Sequence, residues 1–343
     1  MAERKSAAVV AVSLLVLVLA GAWMWVAGRG RGAVVVYCAH DLIFAQQILD
    51  EFTRKSGIEV SVLGDTEAAK SLGLVQRLIR EKDHPNSDVF WNNEPLGTLA
   101  LAEDGLLEPY RSQEFDQRPP EFRDESGEWA GFGARFRVWI VNAEKMPATQ
   151  EEIDRRLAGS DLSRMAVAVP LYGTTLTHYS LLWNRWGADE LKKWHLSLKD
   201  RGCSFVKGNG AVKDLVASGA CDFGLTDTDD FFVAKDAGAP VAMLPVRVDG
   251  EIICIPNTVS LVRGSRHRAD AARLIDFLLS AESDIQLAKS GSRQVPVHLG
   301  VTDAQVPSEA AELLPWTKDA AAFSGLETAR EECLGWLQKE FAP

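Results

Sequence analysis

From residue 33 onward the chain alternates short β-branched runs with longer stretches whose apolar positions recur at helical spacing. Ala33-Val-Val-Val-Tyr37 predicts a strand, and Leu42 to Arg54 an amphipathic helix. Gly57 to Leu63 is the next strand. Asp65 to Ile79 opens with capping residues and continues as a helix, and Asp88-Val-Phe-Trp91 is a third strand. Each of the three strands releases the chain at polar residues, the first at Cys38-Ala-His-Asp41, the second at Asp65 and the third at Asn92, Asn93 and Glu94. A doubly wound α/β sheet builds its binding rim in this way.

A loop-rich stretch from Leu106 to Arg123 separates this series from a second one. Gly131 to Val141 reads as a long strand able to cross between lobes. Met165 to Pro170 is a buried strand, Leu171 to Ser180 turns into a helix, Ala188 to Lys199 is another helix, and strands start near Cys203 and Phe223. Pro240 to Val248 and Ile252 to Val262 read as a return crossing. The last helices, around Asp270 to Leu279 and Glu327 to Phe341, are expected to pack on the first lobe. The expectation is an α/β protein with two doubly wound lobes and two crossover strands. Residues 33–135 and 256–343 form lobe 1, and 136–255 form lobe 2. About 310 residues would exceed what one hydrophobic core usually serves.

The second lobe carries the densest chemistry. Gly208 to Gly219 predicts an Asn209-capped short helix with a Gly stop, and Phe223-Gly-Leu-Thr-Asp-Thr-Asp-Asp-Phe-Phe232 runs a strand into three carboxylates. Asp227, Asp229 and Asp230 crowd into four positions, so a cation, donors or open water must relieve their repulsion. Trp91 and Phe231 stand near the expected cleft, as a stacking wall or as core.

Charge and targeting narrow the setting. The 48 acidic against 37 basic residues argue against a nucleic-acid partner. Arg4 and Lys5 precede an apolar run from Ala7 to Gly28, followed by Arg29 and Arg31. Residues 1–32 therefore read as a signal peptide or as an uncleaved anchor in the cytoplasmic membrane through residues 7–28, with the remainder periplasmic or otherwise extracytoplasmic. Five cysteines are an odd number for an exported chain. Cys203 and Cys221, at the starts of strands flanking one helix, could bridge, with Cys38, Cys254 and Cys333 buried.

Two lobes joined by two crossings make a hinged clamp, and here the motifs carry a resemblance. Val35 to Asp41, Asp65 to Leu78, Ser87 to Pro95, Gly224 to Asp230 and Ile255 to Leu261 run in the order seen in the solute-binding proteins of ABC importers, in the ferric-iron branch. The chain resembles that family from about Ala33 to Leu299. The resemblance implies a type II periplasmic-binding-protein clamp, expected to act as a monomer, that hands its ligand to ABC permease subunits. It departs from the family at the adjacent tyrosines that hold iron, whose positions fall on Asp229 and Asp230. The first-lobe ligands would fall near His40 or Asp41 and near Asn93 or Glu94. Asp41, Glu94, Asp227, Asp229 and Asp230, with His40, then form an oxygen-rich cage for Fe3+ or another hard cation.

The resemblance also implies a companion-anion pocket at Tyr172, Gly173, Thr174 and Thr175 with Asn209. Free N–H groups at a helix start favour an anion independently. Thr66 and Lys70 could add donors from lobe 1, and Asn257 and Thr258 from the return crossing. Three ligand classes fit: a metal with a companion anion, a phosphorylated or zwitterionic organic molecule, and an organic anion. Catalysis is the competing class, but no Gly-x-Ser-x-Gly, His-Glu-x-x-His or Walker-type motif is present. A membrane-tethered sensor without transport is the third class.

Overall fold

The computed structural model describes residues 32–65, 72–323 and 325–342. The amino-terminal apolar run and the pair Thr66 and Lys70 lie outside the described residues. Among the described residues no helix is long and apolar enough to cross a membrane.

The first lobe begins with β1 (Val34–Cys38), α1 (Leu42–Ser56), β2 (Val60–Gly64), α2 (Leu72–Arg80), β3 (Val89–Asn92) and α3 (Pro95–Glu103). The valine run of β1 is buried because parallel neighbours flank it, β2 on one side and β3 on the other. In α1 the buried set Ala45, Ile48, Leu49 and Phe52 follows the 3.6-residue period, and Gly57 ends the helix at φ 69° with its N–H on the Thr53 carbonyl. The short β4 (Leu107–Glu108) and the one-turn α4 (Gln113–Asp116) lead into β5 (Ala130–Asn142).

All thirteen residues of β5 are buried, and the strand serves both lobes. Residues 130–136 pair with β12 (Cys254–Val262), whereas 137–142 pair with β8 (Phe223–Asp227) and β9 (Val241–Pro245). The change of partner falls between Phe136 and Arg137. The strand order is β2-β1-β3-β12-β5-β8-β6-β7, with β6 at Met165–Ala168 and β7 at Ser204–Val206. The return crossing is therefore β12, with a register shift at Pro256/Asn257. The small hairpin β10 (Arg247–Val248) and β11 (Glu251–Ile252) precedes it.

Around the second sheet lie α5 (Gln150–Ala158), α6 (Gly173–Trp186), α7 (Ala188–Asp200), α8 (Asn209–Ala217) and α9 (Thr228–Asp236). The chain ends with α10 (Arg268–Leu278), α11 (Ala281–Lys289), the one-turn α12 (Ser308–Ala311) and α13 (Glu327–Glu340). Helix α10 packs on β12 and α1, as expected for lobe 1. Helix α13 does not follow the expectation: it lies mainly against α6 of lobe 2 and touches α3 of lobe 1. Ala329, Cys333 and Leu337 are its buried contacts, and the Trp183 indole N–H donates to Glu332 at 3.1 Å. All five cysteines are buried and free, so Cys203 and Cys221 are not bridged.

Candidate functional site

The parallel strands of both lobes point their carboxyl ends at one cavity of about 680 Å³. From lobe 1, His40 and Asp41 follow β1 and Asn93 follows β3. From lobe 2, Leu171 to Thr175 follow β6, Lys207 to Gly210 follow β7, Asp227 ends β8, and Asp229 and Asp230 follow it. This is the carboxyl-end crevice of open α/β sheets, formed twice and facing itself.

Asp229 and Asp230 occupy the first turn of α9, and an oxygen of each lies within 4.8 Å of an Asp227 oxygen. The three carboxylates have different surroundings. Asp227 accepts from Arg137 Nη1 at 2.7 Å, Asn209 Nδ2 at 2.9 Å and the Thr174 hydroxyl at 2.5 Å. Asp229 has Arg135 Nε at 3.3 Å, and Asp230 accepts from the Thr226 hydroxyl at 3.1 Å. Burial first, and the neighbouring carboxylates next, push both carboxyls up, Asp229 to about 6 and Asp230 well above the usual range. A cation entering here would replace protons on groups that water does not fully stabilise.

The side chains expected to meet an anion are partly committed elsewhere. Asn209 is the first residue of α8 rather than its cap, which is Gly208. Its amide joins Asp227 and Thr174, and its carbonyl accepts from Arg137 Nη1 at 3.1 Å and from the Thr175 hydroxyl at 3.1 Å. Helix α6 starts at Gly173, φ 52°, after Tyr172, which offers no side-chain cap. The first-turn N–H groups of a helix have no intrahelical acceptor, so backbone amides rather than hydroxyls are the donors left facing the cavity there.

Three expected ligands are not at the cavity wall. Glu94 caps α3 through the N–H groups of Leu96 (2.6 Å) and Gly97 (2.9 Å) and accepts from the Thr177 hydroxyl of lobe 2 at 3.0 Å. It is a clasp between lobes, because Pro95 at the helix start leaves the amides behind it to be capped. Asn257 accepts from Arg135 Nη2 at 3.0 Å, and the Thr258 hydroxyl pairs with Thr98 at 2.7 Å. Trp91 is fully buried beneath His40, ring centroids 5.6 Å apart, and Phe231 is also core. His195 contacts the Tyr179 hydroxyl at 3.1 Å inside lobe 2.

Sequence reasoning missed the arginines of β5. Arg135 lines the cavity and donates to the Asn93 carbonyl at 2.7 Å, and Arg137 is wholly buried behind Asp227. Two cations at i and i+2 share one face of a strand, and in the apolar run Phe132 to Val141 that spacing demands buried acidic partners. That signal was available. Phe205 and Phe341, which also line the cavity, carried none.

Residues 34–293 match the family described as bacterial extracellular solute-binding protein. The iron uptake protein A1 of Synechocystis sp. is 23% identical over 74% of this chain and 73% of that protein. Among solved structures, iron-bound HitA from Pseudomonas aeruginosa superposes with a TM-score of 0.73 at 20% identity, covering 91% of this chain and 99% of that one. AfuA from Actinobacillus pleuropneumoniae, with fructose-6-phosphate bound, gives 0.74 at 19% identity over 91% and 99%. Matched over more than half its length, and folded as these two-lobed binding proteins are, the chain belongs to the bacterial extracellular solute-binding proteins.

Proposed function

We propose that this protein captures a hard metal cation, Fe3+ in the first instance, together with a companion anion, and presents it to an ABC permease. The observation that carries the reading is the half-buried carboxylate pair Asp229 and Asp230 at the cavity wall, clustered with Asp227 so that an oxygen of each lies within 4.8 Å of the others. Asp41 from lobe 1 faces the same cavity, so a cation would draw the lobes together. The α6 start at Gly173 to Thr175 would hold the anion through backbone N–H groups. Asp227 is the arginine-bound support of the site rather than a ligand, and Glu94, Asn257 and Thr258 set its frame. The iron names of relatives agree with this reading.

The clamp needs no catalytic group. Ligand bridging the lobes shifts an open-closed equilibrium by its differential affinity for the closed form, with β5 and β12 as the hinge. A second reading, a phosphorylated organic solute whose hydroxyls or amine meet the aspartates, is favoured by the cavity volume and by the sugar phosphate in AfuA. The test is calorimetric titration with Fe(III) and inorganic phosphate, separately and together. Metal-dependent binding that Asp229→Asn/Asp230→Asn abolishes in a folded protein supports the cation. Unchanged binding by that variant would discard the site.

A further inference from the structure

A bare cation and a small inorganic anion leave most of this cavity unused. Its 680 Å³ lies in the range of sites for organic ligands, whereas a water-sized group takes about 30 Å³. The lining also changes character across the second sheet. Strands β8, β6 and β7 are successive neighbours, so their carboxyl ends stand in one row. Asp229 and Asp230 follow β8, whereas Phe205 belongs to β7, two strand spacings or roughly 10 Å away. The ends of β6 between them add Ala168, Val169 and Leu171.

At the far end, Phe205 meets Phe341, which follows α13, with centroids 5.8 Å apart. Both rings are half-buried and both line the cavity. They are held from behind: the buried His195 ring lies 4.8 Å from Phe205 and 5.6 Å from Phe341, and Lys199 sits over Phe341 at 5.7 Å. Two aromatic rings fixed by packing and open to a water-filled cleft have surface to gain from an apolar partner.

We infer that the solute, whether a metal's companion anion or the whole ligand, carries an unsaturated or aromatic organic body that lies on Phe205 and Phe341 while its charged end reaches the aspartates and the α6 start. This rests on the site assigned above and specifies its substrate class. Phe341, the residue that follows the carboxyl-terminal helix, is then part of the binding wall.

The test uses the full chain as purified from cells and compares phenyl phosphate with inorganic phosphate, each with and without one equivalent of Fe(III). Phenyl phosphate should bind at least tenfold more tightly. Phe205→Ala and Phe341→Ala should each erase most of that preference and leave affinity for inorganic phosphate unchanged. Equal affinity for the two anions in the parent protein would overturn it. So would equal weakening of both anions in the two variants, since that marks a structural role. An aryl preference that stands without any effect of Fe(III) supports the aromatic wall and overturns the iron reading, so the two failures are distinct.

Discussion

Arg137→Met removes the positive charge behind the site while keeping most of the side-chain volume. Arg137 is fully buried, and its Nη1 donates to Asp227 at 2.7 Å and to Asn209 at 3.1 Å. Asp227 is itself buried and keeps only the neutral donors Asn209 and Thr174, so the substitution leaves its carboxylate without a counter-ion. Breaking a buried pair from one side costs about 3–5 kcal/mol, with little cavity cost added because methionine fills the space. At about 2 °C per kcal/mol for a chain of this size, the melting temperature should fall by roughly 6–10 °C. Asp227→Asn in the same chain removes the stranded charge and should restore more than half of the loss, an interaction that a double-mutant cycle reads directly. The assay is urea unfolding followed by tryptophan fluorescence on ligand-free protein, with thermal scans beside it. A loss below about 1 kcal/mol for Arg137→Met, or additive single effects, would refute the claim that Asp227 serves Arg137.

Asp229 is held up to about 6 from 3.8, chiefly by burial. Its folded form keeps a proton that the unfolded chain has released, so its share of stability is present below about pH 4 and lost as pH rises through about 6. Metal affinity should rise over that same interval, and Asp229→Asn should flatten the pH profile in calorimetry. Glu94→Ala loses the cap of α3 and the Thr177 contact across the cleft. It should cost on the order of 1–2 kcal/mol and shift small-angle scattering of the free protein toward the open form. Gly173→Val forces a β-branched residue into φ 52°, costing roughly 1–2 kcal/mol, and should weaken phosphate binding by more than it lowers stability. Equal losses in both assays would mean the α6 start holds no anion.

The fold was legible because period and length speak plainly in this chain. The valine run of β1, the apolar Val89-Phe-Trp91 of β3 and the spacing of Ala45, Ile48, Leu49 and Phe52 allow little else. The carboxyl-end rule then placed His40, Asp41 and the aspartates of α9 at one cavity. What failed is informative in physical terms. Glu94 looked like a ligand from the resemblance, whereas Pro95 directly after it was the sequence signal of a helix start whose amides need an acceptor. Asn209 looked like a cap, yet tertiary contact with Asp227 and Thr174 took its side chain. Helix α13 was misplaced because its apolar positions name no partner, and the lobe 2 surface of α6 proved the larger one.

The most direct test of the central claim is native mass spectrometry of the protein as isolated from its own cell envelope, paired with elemental analysis. The account predicts one iron atom per chain together with an added anion mass, both missing from a folded Asp229→Asn/Asp230→Asn variant. An organic adduct without metal, retained by that variant, would contradict it.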